Sequence, residues 1–433
     1  MRAIALTLIF FTLIPWVLRY PWFGIIIWSW FSYMNPHRFA YGFAYEFPYV
    51  AITAGVTIFA WFISSEPKRF PWTGATFLQV LFCLWFTFTT FFALSQEGGW
   101  FYWNRTIKVQ IMIFLTLFLM KTRIRLETLV WTIVLSIGFF GVKGGLWSLL
   151  TGGSNRVQGP DDSFISGNNE IALAMVMVLP LMRYLQVSAT NKWIRRGLLA
   201  AQILTVLAIL STYSRGGVVA LCVVGLLMWL KSRHKLSLAI AMLVLVPPLV
   251  MFMPQQWKDR MHTIKTTDEG SLDASAEGRL NAWRFAWNLV KDRPLLGGGF
   301  HVFISPVFFQ YAPDPTNRHD AHSIYFEVLG EQGFPGLAIF LALGFCTWRS
   351  GRWVIRVSRI SPELIWAGDM VAAVQVGLAG YATGGMFAGL AYFDLPYHMM
   401  SIIVLCMVIV RERIYMETLA EATTRATLEP VIA

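Results

Sequence analysis

Residues 319–333, HDAHSIYFEVLGEQG, carry a long polar segment back into an apolar helix. Two histidines and three carboxylates therefore sit at the edge of an apolar run. The same kind of edge recurs along nearly the whole chain, because apolar runs of roughly 14 to 25 residues follow one another between short polar loops. A run of about 20 crosses a bilayer as a helix, and none of these runs shows the alternation of a barrel strand. Composition agrees: 56% of residues are hydrophobic and only 14% charged, with mean hydropathy +0.56. A soluble globule would carry about a quarter charged residues. The fold class expected is an all-α polytopic membrane protein of about 12 transmembrane helices.

The net charge of +11 would suit nucleic acid, but Lys and Arg are scattered in short loops, and membrane orientation explains them better. Lys121/Arg123/Arg125, Lys192/Arg195/Arg196, Lys231/Arg233/Lys235, Arg349/Arg352/Arg356/Arg359 and Arg411/Arg413 mark alternate loops as cytoplasmic. Counting back from a cytoplasmic C-terminus puts residues 95–105, 151–168, 213–217 and 253–321 on the opposite face. Parity is strained at the start. Residues 3–18 and 21–34 as two full spans would leave the N-terminus outside, and Pro15 and Pro21 favour one broken or re-entrant element instead. No small-residue cleavage site follows the first run, which reads as a retained anchor. Cys83, Cys222, Cys346 and Cys406 lie within predicted spans and read as packing residues.

The chain divides into N-terminal spans (residues 1–253), a polar cap loop with short helices (254–321), C-terminal spans (322–411) and a cytoplasmic tail (412–433). The loop is too short for a conventional domain and too long for a connector, which suits a lid. Within it residues 278–287 have apolar positions at helical spacing and could lie along the membrane surface, Pro294 to Gly299 ends that helix, and residues 266–277 read as polar and mobile.

Ionisable groups near membrane depth are candidate site residues by default. Arg215, in the stretch Ser211 to Gly217, runs against the orientation bias; it is either a snorkelling anchor or, by our preference, an anion site, with Gly216 and Gly217 allowing a phosphate close to the backbone. Arg279 and Arg284 are five positions apart on the cap helix, so one can face a cavity while the other faces water. Arg105 and Lys108 open the span after an aromatic cluster and are interfacial anchors or phosphate contacts, and Lys143 is either buried toward a polar cavity or snorkelling. His319 and His322 would share a helix face if the helix began there. Three readings stay open for them with Asp320: a capped helix start, a metal site, or a general base. Glu327 and Glu331 look structural, since Glu327 would point away from His322 along a straight helix. The sequence has no P-loop, no nucleophile elbow and no Asp-x-Asp pair to hold a metal against a pyrophosphate, and no metal site or cofactor is expected.

Several motifs taken together resemble the superfamily of O-antigen ligases, O-antigen polymerases and protein O-oligosaccharyltransferases: Ser214-Arg215-Gly216-Gly217, Gly278-Arg279 with Trp283, Pro294 with Gly297 and Gly299, and His322 followed by Glu331-x-Gly333. Tyr33-Met34-Asn35-Pro36-His37-Arg38 and Tyr41 to Tyr45 are similar to the branch of exosortase-associated putative O-glycosylation ligases. The resemblance implies a GT-C type glycosyltransferase of the bacterial inner membrane, acting at the periplasmic face on a glycan carried by undecaprenyl pyrophosphate. It implies His322, Arg279 and Arg215 as the catalytic set; Ser323 stands where family members often carry Asn. Arg284, Lys108, Arg105 and His319 are secondary substrate contacts. The expected acceptor is lipid A core oligosaccharide, with protein Ser/Thr or a growing glycan chain as alternatives. A lipid-linked glycan transporter, or a non-catalytic partner of an export system, are the readings of other classes. Membrane lipids are the remaining expected partner, and nucleic acid is not one.

Overall fold

The computed structural model describes residues 1–232, 235, 236, 240, 244, 254, 255, 257, 258 and 274–432, with backbone alone for 274, 275 and 421–432. Arg233 of the basic clusters and most of the stretch expected to be mobile, residues 266–273, lie outside the described residues. Every regular element among the described residues is helical. In chain order these are α1 (Arg2–Arg19), α2 (Pro21–Met34), α3 (Tyr49–Ile63), α4 (Gly74–Thr90), α5 (Gln96–Leu119), α6 (Arg123–Leu150), α7 (Asn168–Ser188), α8 (Lys192–Leu210) and α9 (Arg215–Lys231). After the undescribed stretch come α10 (Ala274–Asp292), α11 (Ser305–Tyr311), α12 (Ile324–Val357), α13 (Ile365–Gly384) and α14 (Asp394–Ile432). Six of the described helices are long and apolar enough to cross a membrane, and α3 and α4 are shorter apolar helices. The protein is a helical, multi-pass membrane protein.

The bundle has two chemically different ends. At one, Arg125 pairs with Glu66 at 2.7 Å, Lys121 donates to the Arg69 carbonyl at 2.7 Å, Arg183 donates to Gln186, and Arg413 meets Glu363 and Glu417. The basic loops collect there. At the other, the ends of α2, α4, α6, α8 and α13 meet the starts of α5, α7, α9, α12 and α14, as the contacts Arg38–Asp162, Asn168–Thr212, Val157–Ser211 and Ile324–Gly385 require. Residues 95–105, 151–168 and 213–217 share that end with α10 and α11.

The interruption expected near the N-terminus is present at one residue, Tyr20 (φ −132°, ψ 87°), but it reverses the chain. Pro21 takes the first position of α2, where its missing N–H costs nothing, and the rings of Phe10 and Phe31 meet at 5.5 Å. Those residues stand about equally far from the break, so α1 and α2 are an antiparallel hairpin rather than one bent span. At 14 residues α2 is only about 21 Å long.

Helix packing relies on small residues, as it does when lipid supplies no hydrophobic drive between helices. α7 lies at the centre, with residues 171–182 all buried, and is accordingly apolar all round. α6 meets α8 through Gly141 and Gly145, where an added Cβ would fall 2.2 Å from Thr205 Oγ1 and 2.2 Å from the Leu204 carbonyl oxygen. The second of these is backbone and cannot rotate aside. Gly145→Val is therefore expected to force the helices apart at a cost of about 1–3 kcal/mol, read as a lower unfolding temperature of the detergent-solubilised protein.

α12 is broken at Gly333 (φ 68°, ψ −173°). The backbone groups freed by the break are bonded by the Pro294–Gly299 segment: Gly298 N donates to Gly330 O, Gly299 N to Glu331 O, and Phe334 N to Pro294 O, all between 2.8 and 2.9 Å. Trp85 Nε1 donates to Gln332 O at 2.9 Å. Gly299 (φ 77°) must be glycine for this seam to form, since its Cβ would also strike Ala93. The motif that ends α10 is thus the partner of the motif Glu331-x-Gly333.

Candidate active site

The seam, the start of α12 and the residues before α7 enclose a cavity of about 460 Å³ at the end opposite the basic loops. Into it face Tyr102 and Arg105 of α5, Ser163, Ser166 and Glu170, His301, Asp320, His322, Glu327, Glu331 and Tyr392. His322 is not on a helix. It precedes the cap residue Ser323 and has φ +40°, a left-handed conformation that costs a non-glycine residue about 1–3 kcal/mol. Its neighbours fix that conformation: Trp283 Nε1 donates to Ala321 O at 2.8 Å, Ile324 N donates to Gly385 O at 2.8 Å, and Trp283 stacks on Phe326 at 4.9 Å. The result places His322 Nδ1 at 3.7 Å from Glu170 Oε1, beyond a hydrogen bond but within ion-pair reach.

This geometry corrects two expectations. His319 and His322 share no helix face, because α12 begins at Ile324; His319 is exposed, packs where Gly278 leaves room, and does not line the cavity. Glu327 does not point away from His322, because the chain turns between them. Glu327 Oε2 accepts from Ala391 N at 3.1 Å, beside Gly389 and the His322 backbone, and Glu331 Oε1 accepts from His301 N at 2.9 Å. In the cavity wall Glu331 is buried and Glu327 half-buried, and both hold loops in place as well as facing the space.

Glu170 stands in the first turn of α7, where a helix N-terminus favours a carboxylate. The same turn holds the Arg215 segment. Asn168 Nδ2 donates to Thr212 O at 2.9 Å, Ser214 Oγ donates to Asn169 Oδ1 at 2.6 Å, and Ser214 Oγ accepts from Gly217 N as the cap of α9. Arg215 opens α9 one residue later, tied to Glu170 through its sequence neighbour Asn169. The sequence suggested that Gly216 and Gly217 admit a phosphate close to the backbone, and the structure leaves no such room. An added Cβ would meet Phe387 at 2.6 Å and Ala172 at 2.8 Å, so these glycines admit neighbouring protein.

Of the other sequence candidates, Arg105 lines the cavity, with its guanidinium carbon 3.9 Å from the Phe164 ring centroid. Arg215 and Arg279 lie outside the lining, Arg279 directly after the Gly278–His319 contact. Lys108 and Arg284 are exposed and take no part in it. Sequence reasoning missed Glu170, His301, Tyr102 and Tyr392. His301 (φ 60°) stacks on Tyr102 at 4.7 Å. Burial holds its imidazole below the ordinary value, Asp320 opposes this and Arg318 adds to it, so His301 is neutral near pH 7. Among the described residues no three His, Cys, Asp or Glu side chains gather as a shared metal would require.

The cavity thus joins an imidazole, a facing carboxylate and a guanidinium. Residues 200–341 match the O-antigen ligase family. That part of the chain, from α8 to the first half of α12, is similar to O-antigen ligases. It contains Arg215, Arg279, His301 and His322, and the match supports glycan-ligase activity of the O-antigen ligase or polymerase type. Residues 1–190 match a family of unknown function, DUF5935. Glu170 falls in this second segment, so the His322–Glu170 contact is made across the two. No curated protein matches the chain.

Proposed function

We propose that this segment and its N-terminal partner form a GT-C type glycan ligase of about twelve spans. It transfers a polysaccharide from undecaprenyl pyrophosphate to a hydroxyl of lipid A core oligosaccharide at the periplasmic face of the bacterial inner membrane. The basic loops at the far end of the bundle support that orientation. The observation that carries the reading is His322, held in a strained conformation against Glu170 in the cavity wall.

In the proposed reaction the acceptor hydroxyl loses its proton to His322 as its oxygen attacks the anomeric carbon, and the bond from that carbon to the pyrophosphate oxygen breaks. The pyrophosphate leaves with the electron pair, and direct displacement inverts the anomeric configuration. No metal is required if guanidinium groups neutralise the charge developing on the leaving group, a role we assign to Arg215 and Arg279. Arg105, already in the cavity wall, is an additional substrate contact. Arg284, Lys108 and His319 lie at the rim or beyond and are reserved for the acceptor or not used.

Glu170 is a positioning residue. It faces Nδ1, which leaves Nε2 to take the proton, and its charge stabilises the imidazolium that forms. The test is transfer by purified protein from undecaprenyl-pyrophosphate glycan to lipid A core, with product stereochemistry read by NMR. Absence of product with lipid A core, protein and glycan acceptors alike would overturn the reading. In the same assay Glu170→Gln is expected to lower kcat about tenfold, the worth of one charge-assisted contact, with donor KM unchanged and partial rescue by Glu170→Asp. An equal loss in KM would mean that Glu170 acts only on the fold.

A further inference from the structure

A second depression lies on the outside of the same end of the bundle. It is a groove of about 370 Å³ between the second half of α6, residues 156–160 and Phe39. Lys143 and Arg156 line it, and none of its lining residues is acidic. Both are exposed, and neither makes a side-chain hydrogen bond or ion pair with the described residues. Their only side-chain partners there are rings, Phe39 at 5.0 Å from Lys143 Nζ and Tyr213 at 5.7 Å from the Arg156 guanidinium carbon. Of the two acids that follow Pro160 in the chain, Asp162 is engaged by Arg38 and Tyr45, and Asp161 does not line the groove.

The depth of Lys143 is informative. It stands seven residues before the end of α6, about 10 Å along the helix axis. On the side toward the membrane centre, Leu135 and Phe139 are exposed at four-residue steps and continue its helix face. On the other side Trp147 is half exposed, as interfacial tryptophans are. The face therefore runs from apolar to cationic to aromatic over little more than three turns, which matches a lipid from acyl chain to phosphate. A free phosphate would have no use for the apolar stripe.

We propose that Lys143 and Arg156 bind the phosphate of an anionic membrane lipid, with an acyl chain lying along Phe139 and Leu135. The inference does not depend on the ligase reading. Full-length protein in dodecyl maltoside, titrated with phosphatidylglycerol or phosphatidylcholine and read by native mass spectrometry, tests it. One phosphatidylglycerol per chain is expected to bind more tightly than phosphatidylcholine. Lys143→Gln should weaken it about fivefold and the double variant with Arg156→Gln about thirtyfold, with phosphatidylcholine binding unchanged. Both side chains are exposed, so these variants should keep the wild-type unfolding temperature, and the single variant serves if the double one does not. Equal phosphatidylglycerol binding by a folded variant and wild type, no preference over phosphatidylcholine, or displacement of the lipid by inorganic phosphate would each overturn the proposal.

Discussion

His322→Ala is expected to slow glycan transfer by about a hundred- to ten-thousandfold, the range over which a positioned general base contributes, while donor binding is retained. The expectation rests on where the imidazole stands. A strained backbone held by Trp283, Gly385 and the Trp283–Phe326 stack is not needed to start a helix, since Ser323 already occupies the cap position. The strain places the ring in the cavity, facing Glu170. His301 is the second imidazole there, and His301→Ala separates the two. It should cost much less, because Glu331 bonds the His301 backbone and Tyr102 stacks on its ring, which gives it a packing role. Turnover by His322→Ala within a few-fold of wild type, or a larger loss in His301→Ala, would sink the assignment.

Arg215→Ala is expected to lower kcat/KM about a hundredfold, comparable to losing one preorganised donor to a developing anion. Lysine should recover little, because an ammonium cannot reproduce the two parallel bonds a guanidinium gives to a pyrophosphate. Arg215 stands at the start of α9 beside the turn that carries Glu170, so the leaving group would be held close to the base without sharing its contacts. Measured turnover and binding of undecaprenyl pyrophosphate in the same preparations decide the matter. If Arg215→Ala turns over normally and Arg105→Ala does not, the guanidinium in the cavity wall is the pyrophosphate ligand and the role of Arg215 is lost.

Much of this was legible in the sequence, for physical reasons. Lipid admits few backbone solutions, so apolar runs read directly as helices, and the basic loops sorted the chain into two ends before any contact was known. Arg105, Arg215 and His322 drew notice because charge near an apolar run is costly. Glu170 meets the same criterion at the head of α7, but its contact with His322 is made between residues far apart in the chain, and neither local pattern carries it. The two corrected placements share one cause: helical spacing extended through residues 319–323, where the chain is not helical. That single assumption put His319 with His322 and turned Glu327 away from the cavity. The left-handed backbone at His322 depends on Gly385 and Trp283, which are distant in sequence, so no local pattern could have announced it.

The break at Gly333 also shortens the part of α12 that has to cross the bilayer. As one rod, the 34 residues of α12 would measure about 51 Å, far more than the roughly 30 Å of hydrocarbon they are meant to cross. Cut at Gly333, the helix leaves residues 334–357, about 36 Å, a length that tilt alone can accommodate. Phe334 and Trp287, in ring contact at 6.0 Å, then mark the water boundary. Glu327 and Glu331 fall on the aqueous side of that line although hydropathy counts them within a span. A donor with a hydrocarbon tail and a hydrated glycan can then stay in both solvents at once, with the scissile bond at the level where one gives way to the other.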